Sequence, residues 1–394
     1  MIEMIPMSGP DITQDEISAV EAVLRTPVLS IGPRISQFEE RFAGFIGTSH
    51  ATGVSSGTAG LHLACIATGI VEGDLVLTTP FSFVASANCI LYERAVPLFV
   101  DIDPKTLNIN PDLVSQAVDD LAQGGRAGRR WLPPAMQSGS CPERGPKAIL
   151  PVDVFGQPAD YDPLVKTSRK HGLTVIEDAC EAVGAEYKGR RAGTLGDVAV
   201  FAFYPNKQIT TAEGGIVVTD RADWDLLFRS LRNQGRDESG TWLNHVRLGY
   251  NYRLDEMSAA LGLAQMARLD EILEKRDRVA QMYNERLSRF PGLTVPYIAP
   301  TTTRMSWFVY VIRLDPSINR NLVMRRLRER GVASRPYFTP IHLQPFYVDR
   351  FGYRPGDFPV TEAVAESTLA LPFHTNLQEE TIDLVCEGLR VAVA

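Results

Sequence analysis

Three short segments carry residues whose type and spacing suit chemistry. Val54-Ser55-Ser56-Gly57-Thr58-Ala59-Gly60 lies just before an apolar helical stretch. A glycine beside hydroxyl residues at a helix start presents free backbone N–H groups and the positive end of the helix dipole, which suits a phosphate. In Val175-Ile176-Glu177-Asp178-Ala179-Cys180-Glu181-Ala182 an apolar strand ends in two acids. Their side chains then emerge at the carboxyl edge of a sheet, where α/β folds bind ligands. Phe201-Ala202-Phe203-Tyr204-Pro205-Asn206-Lys207-Gln208 closes with Thr211-Ala212-Glu213-Gly214-Gly215. A lysine placed after an aromatic strand and before an acidic, glycine-rich turn can serve as a Schiff-base amine. Taken singly, each segment has a plain reading: a helix cap, a surface acid, a solvated lysine.

The elements that must position these residues follow from periodicity. Short β-rich runs alternate with helical patterns over the first two-thirds, as in a mostly parallel α/β sheet flanked by helices. Thr13 and Glu16 read as a capping box that opens a helix to about Arg25, and a second helix covers Ile35–Phe45. Strands are predicted at Leu75–Thr78, Val96–Asp101, Ala148–Asp153, Leu173–Glu177, Val198–Phe203 and Gly215–Val218, with helices near 58–68, 83–92, 111–122, 160–171 and 222–233. From Asp255 to about Phe290 the pattern is helical without Gly–Pro punctuation. The expected division is a large domain over 1–255 and a smaller C-terminal α+β domain over 256–394, entered by that long helix. The smaller unit holds a strand at Phe308–Leu314 and helices at Asn321–Arg330 and Gln378–Leu389. Residues 124–146, dense in Gly, Pro and Arg, form a loop insertion long for a compact α/β unit.

Composition narrows the functional classes. The 394 residues carry a net charge of −7, which argues against a nucleic-acid partner, since duplex binding requires clustered positive charge. No apolar run is long enough to span a bilayer, and the N-terminus lacks a basic region followed by an apolar core. Five scattered cysteines without a CxxC pair, and six histidines without metal-ligand spacing, point to reduced thiols, a cytoplasmic location and no metal.

The order of the segments joins them. A phosphate cradle, an aromatic segment Pro80-Phe81-Ser82-Phe83, a strand-end acid and a lysine are the parts that pyridoxal phosphate requires. Its phosphate takes donors, its ring a stacking face, its pyridine nitrogen an anion and its aldehyde an amine. On these residues the chain resembles the DegT/DnrJ/EryC1/StrS family of nucleotide-sugar aminotransferases, in the aspartate aminotransferase superfamily (fold type I). The likeness runs from IPMSGPDI through SSGTAGLHLA, FVDIDPKTLNI, FGQPADYD, VIEDACEAVGAEYKGRRAGTLGD, YPNKQITTAEGG, LGYNYRLDEMSAALGLAQMARLD and RPYFTPIHLQPFY to LALPFHTNL.

The resemblance implies a large domain that binds pyridoxal 5′-phosphate and an enzyme that passes through pyridoxamine 5′-phosphate. It moves an amino group from an amino acid, L-glutamate in this reading, to a nucleotide-linked keto sugar. It further implies that Ser56, Gly57 and Thr58 hold the phosphate and Phe83 covers one ring face. Asp178 pairs with the ring nitrogen, Cys180 packs on the other face, and Lys207 condenses with the aldehyde. Glu181 stands close to the cofactor, where many relatives carry Gln or His. Family homodimers share their active sites, which sets Asn251 and Arg253 near the neighbour's phosphate. Tyr337 and His342, in a segment at the cleft mouth, would contact the acceptor. Two positions depart from the family pattern: Ala202 replaces a serine that donates to the phosphate, and Cys180 replaces a frequent alanine. The resemblance leaves open what supplies the missing donor, with Ser55 or the partner's Asn251 as candidates. A related sugar dehydratase carries His in place of the lysine, so Lys207 speaks against that activity. Amination of keto-cyclitols, and a non-catalytic sensor that binds the same cofactor, stay open.

Overall fold

The computed structural model describes residues 4–138, 145–237 and 243–393. Its centre is a seven-stranded sheet. In chain order the strands are β1 (His50–Val54), β2 (Leu75–Thr78), β3 (Val96–Phe99), β4 (Pro146–Leu150), β5 (Thr174–Asp178), β6 (Val198–Ala202) and β7 (Gly215–Thr219). Their spatial order is β1-β7-β6-β5-β4-β2-β3. The ladders from β3 to β6 are parallel, whereas β7 runs antiparallel to both β6 and β1. One strand of the seven therefore runs against the rest. Strands β2 and β3 are buried along their whole length, as expected for a parallel sheet covered on both faces.

Four helices matter for the site and its support: α1 (Gln14–Leu24), α2 (Pro33–Ile46), α3 (Gly57–Ala67) and α4 (Ala85–Tyr92). The capping box at α1 forms as the sequence predicts, with Glu16 accepting from Thr13 N at 2.6 Å. Glu16 is buried and also accepts from Gln265 and Arg268, each at 2.9 Å. Burial alone would push its carboxyl up, but the bonds from Thr13, Gln265 and Arg268 outweigh it and hold the pKa at about 2.

The helical stretch from Asp255 is two helices, Glu256–Ala267 and Leu269–Leu287, broken at Arg268. No Gly or Pro marks the break, so propensity gives no sign of it. The cause is tertiary: the Arg268 guanidinium turns to Asp11 and Glu16, both at 2.9 Å, and fixes the first of the two helices against α1. Beyond it, Leu293–Thr294, Tyr310–Leu314 and Thr368–Leu371 form a small antiparallel sheet. Helices Arg320–Glu329 and Glu379–Val393 pack together there, around a core that includes Tyr283, Tyr310, Leu327 and Leu389.

Strand β1 (His50–Val54) is not among the strands predicted from the sequence and is the main addition to the sheet. Within 124–146, Gly125–Arg129 is a short helix and Pro134–Met136 a single 3-10 turn. Trp131 Nε1 donates to Asp120 at 2.8 Å, which ties the start of this segment to the preceding helix. Residues 139–144 lie outside the described part.

Candidate active site

The strand directions collect chemistry at one edge. Strands β1, β5 and β6 end there, β2 delivers its following loop there, and the reversed β7 begins there. A cavity of about 480 Å³ opens at this edge, lined by the start of α3, the loop before α4, the ends of β5 and β6, and residues 337–338.

At the cradle, Ser56 caps α3 and its Oγ accepts from Ala59 N at 3.1 Å. Among the described residues the N–H groups of Gly57 and Thr58 have no partner, as the first turn of a helix leaves them. Gly57 is required by space. A Cβ there would stand 2.7 Å from Ala202 Cβ and 2.9 Å from Cys180 Sγ. A Cβ on Gly215, at the start of β7, would stand 2.7 Å from Gly57 N. Ala202 therefore packs against the cradle, at the position where the resemblance implies a serine.

Asp178 ends β5 and is 3% exposed. Its Oδ2 accepts from Ser86 Oγ at 2.7 Å, and its Oδ1 from Cys180 N at 3.2 Å. The Cys180 thiol is pushed well above its usual range, first by burial and then by the charge of Asp178, so it presents a neutral sulfur to the cavity. Lys207 Nζ lies 3.4 Å from Glu181 Oε1 and 3.9 Å above the centre of the Phe308 ring. The other oxygen of Glu181 accepts from Phe155 N at 2.9 Å. Burial raises the Glu181 carboxyl above its ordinary range, against the pull of Lys207.

Of the residues singled out in the sequence, Ser56, Gly57, Thr58 and Phe83 line this cavity. So do Asp178, Cys180, Glu181, Lys207 and Tyr337. Phe83 is 62% exposed, standing at the open side. Asn251 and Arg253 do not line it within one chain. Their segment runs beside the end of β1: Ser55 N donates to Tyr252 O at 2.9 Å, and Arg253 donates to Asn233 Oδ1 at 3.1 Å.

His342 is not brought to the cavity, and the expected contact with an acceptor is corrected. It is 0% exposed, in the 3-10 turn Ile341–Leu343, with Nε2 3.1 Å from Glu362 and its ring 4.7 Å from that of Phe358. Burial depresses its pKa although Glu362 pulls the other way. Its place is in the aromatic packing around Tyr353 and Phe358. The same turn is anchored to the aromatic loop by Ile341 N, which donates to Pro80 O at 2.8 Å.

Ser86, Asn206 and Phe308 also line the cavity and were given no role from the sequence. Ser86 lies in the first turn of α4, four positions after Ser82 of the aromatic segment, and nothing in the sequence marks their contact. Asn206 Oδ1 is buried without a partner among the described residues, an acceptor free for a ligand. Phe308 arrives from the smaller unit. Arg276 holds it: the buried guanidinium donates to Trp307 O at 2.9 Å and Phe308 O at 3.0 Å, and burial lowers its pKa to about 10. A second cavity, about 830 Å³, adjoins the first and shares Ser82, Phe83 and Phe338 with it. Arg350, Asn88 and Gln344 stand on its walls.

The sequence model of the DegT/DnrJ/EryC1/StrS aminotransferase family matches residues 10–390. The chain belongs to this family. It is 36% identical over 389 residues to GDP-perosamine synthase of Caulobacter vibrioides, covering 98% of this chain and 97% of that one. The solved structure of DesV from S. venezuelae superposes with a TM-score of 0.86 at 30% identity, covering 99% of this chain and 98% of the other. PseC of Helicobacter pylori, an aminotransferase involved in pseudoaminic acid biosynthesis, gives 0.86 at 26% identity, with 99% of each chain covered. The mixed α/β fold with its mostly parallel sheet agrees with these neighbours.

Family members use pyridoxal phosphate, and the residues present fit that group. Unpaired N–H groups at a helix start suit its phosphate, a buried carboxylate suits a protonated ring nitrogen, and an amine stands across the same cavity.

Proposed function

We propose that the protein transfers the amino group of an amino acid, L-glutamate in our reading, to the keto group of a nucleotide-linked sugar, with pyridoxal phosphate as cofactor. The observation that supports this reading best is the convergence of Lys207, Asp178 and the start of α3 on one cavity. When bound, the cofactor supplies an electron sink for a carbanion at the substrate's α-carbon. Gly57 and Thr58 bind the phosphate through their N–H groups, and Ser56 shapes that turn. Asp178 holds a proton on the ring nitrogen by charge. The Lys207 amine takes the proton from the donor's α-carbon and later returns one to the acceptor carbon. Glu181 keeps that amine oriented, and Phe308 and Tyr337 shield it from water. The adjoining groove, with Arg350 on its wall, offers room and a positive charge for the nucleotide arm.

We place the active unit as a homodimer in the cytoplasm, in which Asn251 and Arg253 of one chain complete the phosphate site of the other. Their segment borders the strand that leads to Ser56, which suits such a reach. No described helix is long and apolar enough to cross a membrane. Mixing Arg253→Ala with Lys207→Ala chains then restores part of the activity, because one hybrid site inherits both intact residues. Absence of rescue after confirmed subunit exchange counts against shared sites.

The decisive experiment incubates the protein with glutamate and a panel of nucleotide-linked keto sugars and keto-cyclitols, read by mass spectrometry. An amine formed on a nucleotide sugar supports the reading. Amination confined to keto-cyclitols moves the assignment, and the lack of any product with bound cofactor favours a sensor.

A further inference from the structure

Asp178 sits among acids. Asp153 and Glu177 are each 0% exposed beside it, and Glu181 lies on the same cavity wall. Its charge raises the pKa of Asp153, Cys180 and Glu181. Among the described residues no cation is paired with Asp178, since Lys207 is paired with Glu181. A buried carboxylate so placed must have its oxygens satisfied by neutral donors.

Besides the Cys180 thiol, two donors stand at hydrogen-bond distance, and one of them is the better. Cys180 N lies 3.2 Å from Oδ1, whereas Ser86 Oγ lies 2.7 Å from Oδ2. Ser86 Oγ is also 2.9 Å from Ser82 Oγ. A serine hydroxyl has one proton to give, and an ionised carboxylate only accepts. If Ser86 donates to Asp178, the Ser82–Ser86 bond has one direction: Ser82 donates to Ser86. The three groups form an oriented chain, with exposures of 5%, 2% and 3% from Ser82 to Asp178. Ser82 and Ser86 both line the cavity; Ser86 lies in the first turn of α4 and Ser82 in the bend that leads into it, which folds back to bring the two hydroxyls together.

We propose that Ser86, backed by Ser82, is a positioning residue that holds the Asp178 carboxylate turned toward the ring nitrogen of the cofactor. This rests on the reading above that Asp178 meets that nitrogen. Each hydroxyl in the chain polarises the next, so the Ser86 bond to Oδ2 is strengthened by the Ser82 bond behind it. Without Ser86 Oγ, Oδ2 loses its short hydroxyl donor, and the carboxylate is held less firmly toward the ring nitrogen.

The test loads each protein with pyridoxal phosphate labelled with 15N in the ring and records the nitrogen resonance, together with the cofactor dissociation constant. Asp178→Asn sets the end point, with the resonance moved fully toward neutral pyridine. Ser86→Ala is expected to move it part of the way and to weaken cofactor binding about tenfold. Ser82→Ala should move it in the same direction by less. The double variant Ser86→Ala/Asp178→Asn should match Asp178→Asn alone, because both changes act through one carboxylate. A wild-type resonance in Ser86→Ala, or fully additive losses in the double variant, overturns the proposal. Should Ser86→Ala fail to fold, the Ser82→Ala resonance decides: a shift supports the chain and no shift removes it. If Asp178→Asn itself leaves the resonance unchanged, the assignment of Asp178 to the ring fails, and the role of Ser86 fails with it.

Discussion

Glu177 and Asp178 are neighbours in sequence, both acidic, both buried at the end of β5. They do opposite things. Strand alternation sends their side chains to opposite faces of the sheet. Asp178 points into the cavity, where its oxygens meet Ser86 and Cys180. Glu177 points the other way and accepts from the backbone N–H groups of Gly193, Leu195 and Gly196, at 2.5, 3.0 and 3.1 Å. One carboxylate is available to chemistry, and the other is spent holding a loop. Residue type and burial do not separate them, but the partners of their oxygens do.

The largest expected effect belongs to the amine across the cavity. Lys207→Ala should lower transamination by roughly 10⁴-fold or more, with loss of the lysine–cofactor absorbance band. Retention of turnover would show that the chemistry at this edge does not need Lys207. Asp178→Asn should cut turnover by about 10²–10³-fold, as removal of a charged hydrogen bond at a reacting system does, with little change in thermal midpoint. A wild-type rate would give Asp178 the same structural status as its neighbour.

Glu177 should show the reverse pattern. Glu177→Ala strands three N–H groups, two of them buried, and should cost about 3 kcal/mol in denaturant unfolding, while the folded fraction keeps its turnover within a few-fold. Its pH behaviour sharpens the contrast. Burial outweighs the three N–H donors and raises its pKa from 4.5 to about 7. The folded chain therefore holds this proton more tightly than the unfolded chain. Its contribution favours the fold fully below about pH 4.5 and declines as pH rises toward 7, by up to roughly 3 kcal/mol. Glu177→Gln does not titrate, so its stability should fall less steeply over that window. Equal slopes in the two proteins would mean that Glu177 is not held neutral.

The smallest effects should come from the segment at the cavity mouth, which holds a similar pair. Tyr337 lines the cavity, whereas His342 is enclosed behind it. Tyr337→Ala is expected to raise the acceptor KM about tenfold and leave the donor half-reaction nearly untouched. His342→Ala should lower stability by about 2 kcal/mol and change both half-reactions alike. An acceptor-specific defect in His342→Ala would return that residue to the binding site.

Much of this architecture was legible in the sequence because the cavity is built from strand ends. The runs ending at Thr78, Asp178 and Ala202 are apolar and β-rich, and each is followed by its functional residue within a few positions. Strand β1 escaped because HATGV is short, begins with a polar residue and contains a glycine. The reversal of β7 has no local signature, since a buried strand reads the same in either direction. Phe308 and Arg276 escaped because their positions are set by packing between distant parts of the chain. Asn251 and Arg253 cannot be read from one chain at all if their target lies on another. His342 failed for a different reason: proximity in sequence to Tyr337 says nothing about which way a tight turn directs a side chain.

The pairing of β1 with β7 also bears on how the protein comes into being. Ser49 donates to Asp220 across 171 positions of chain, and β1 has its only ladder with β7 among the described strands. The first turn of α3 is held between Ala202, Cys180 and the start of β7. During synthesis the segment 50–60 therefore waits, unpaired, until the chain has grown past residue 219. Closing so long a loop is slow relative to local helix formation, so the start of α3, the proposed phosphate site, is expected to be among the last parts to form. A ligand that binds only the finished cradle draws the whole chain toward the native state by mass action. Supply of the cofactor during expression should then set the yield of folded protein as well as its activity.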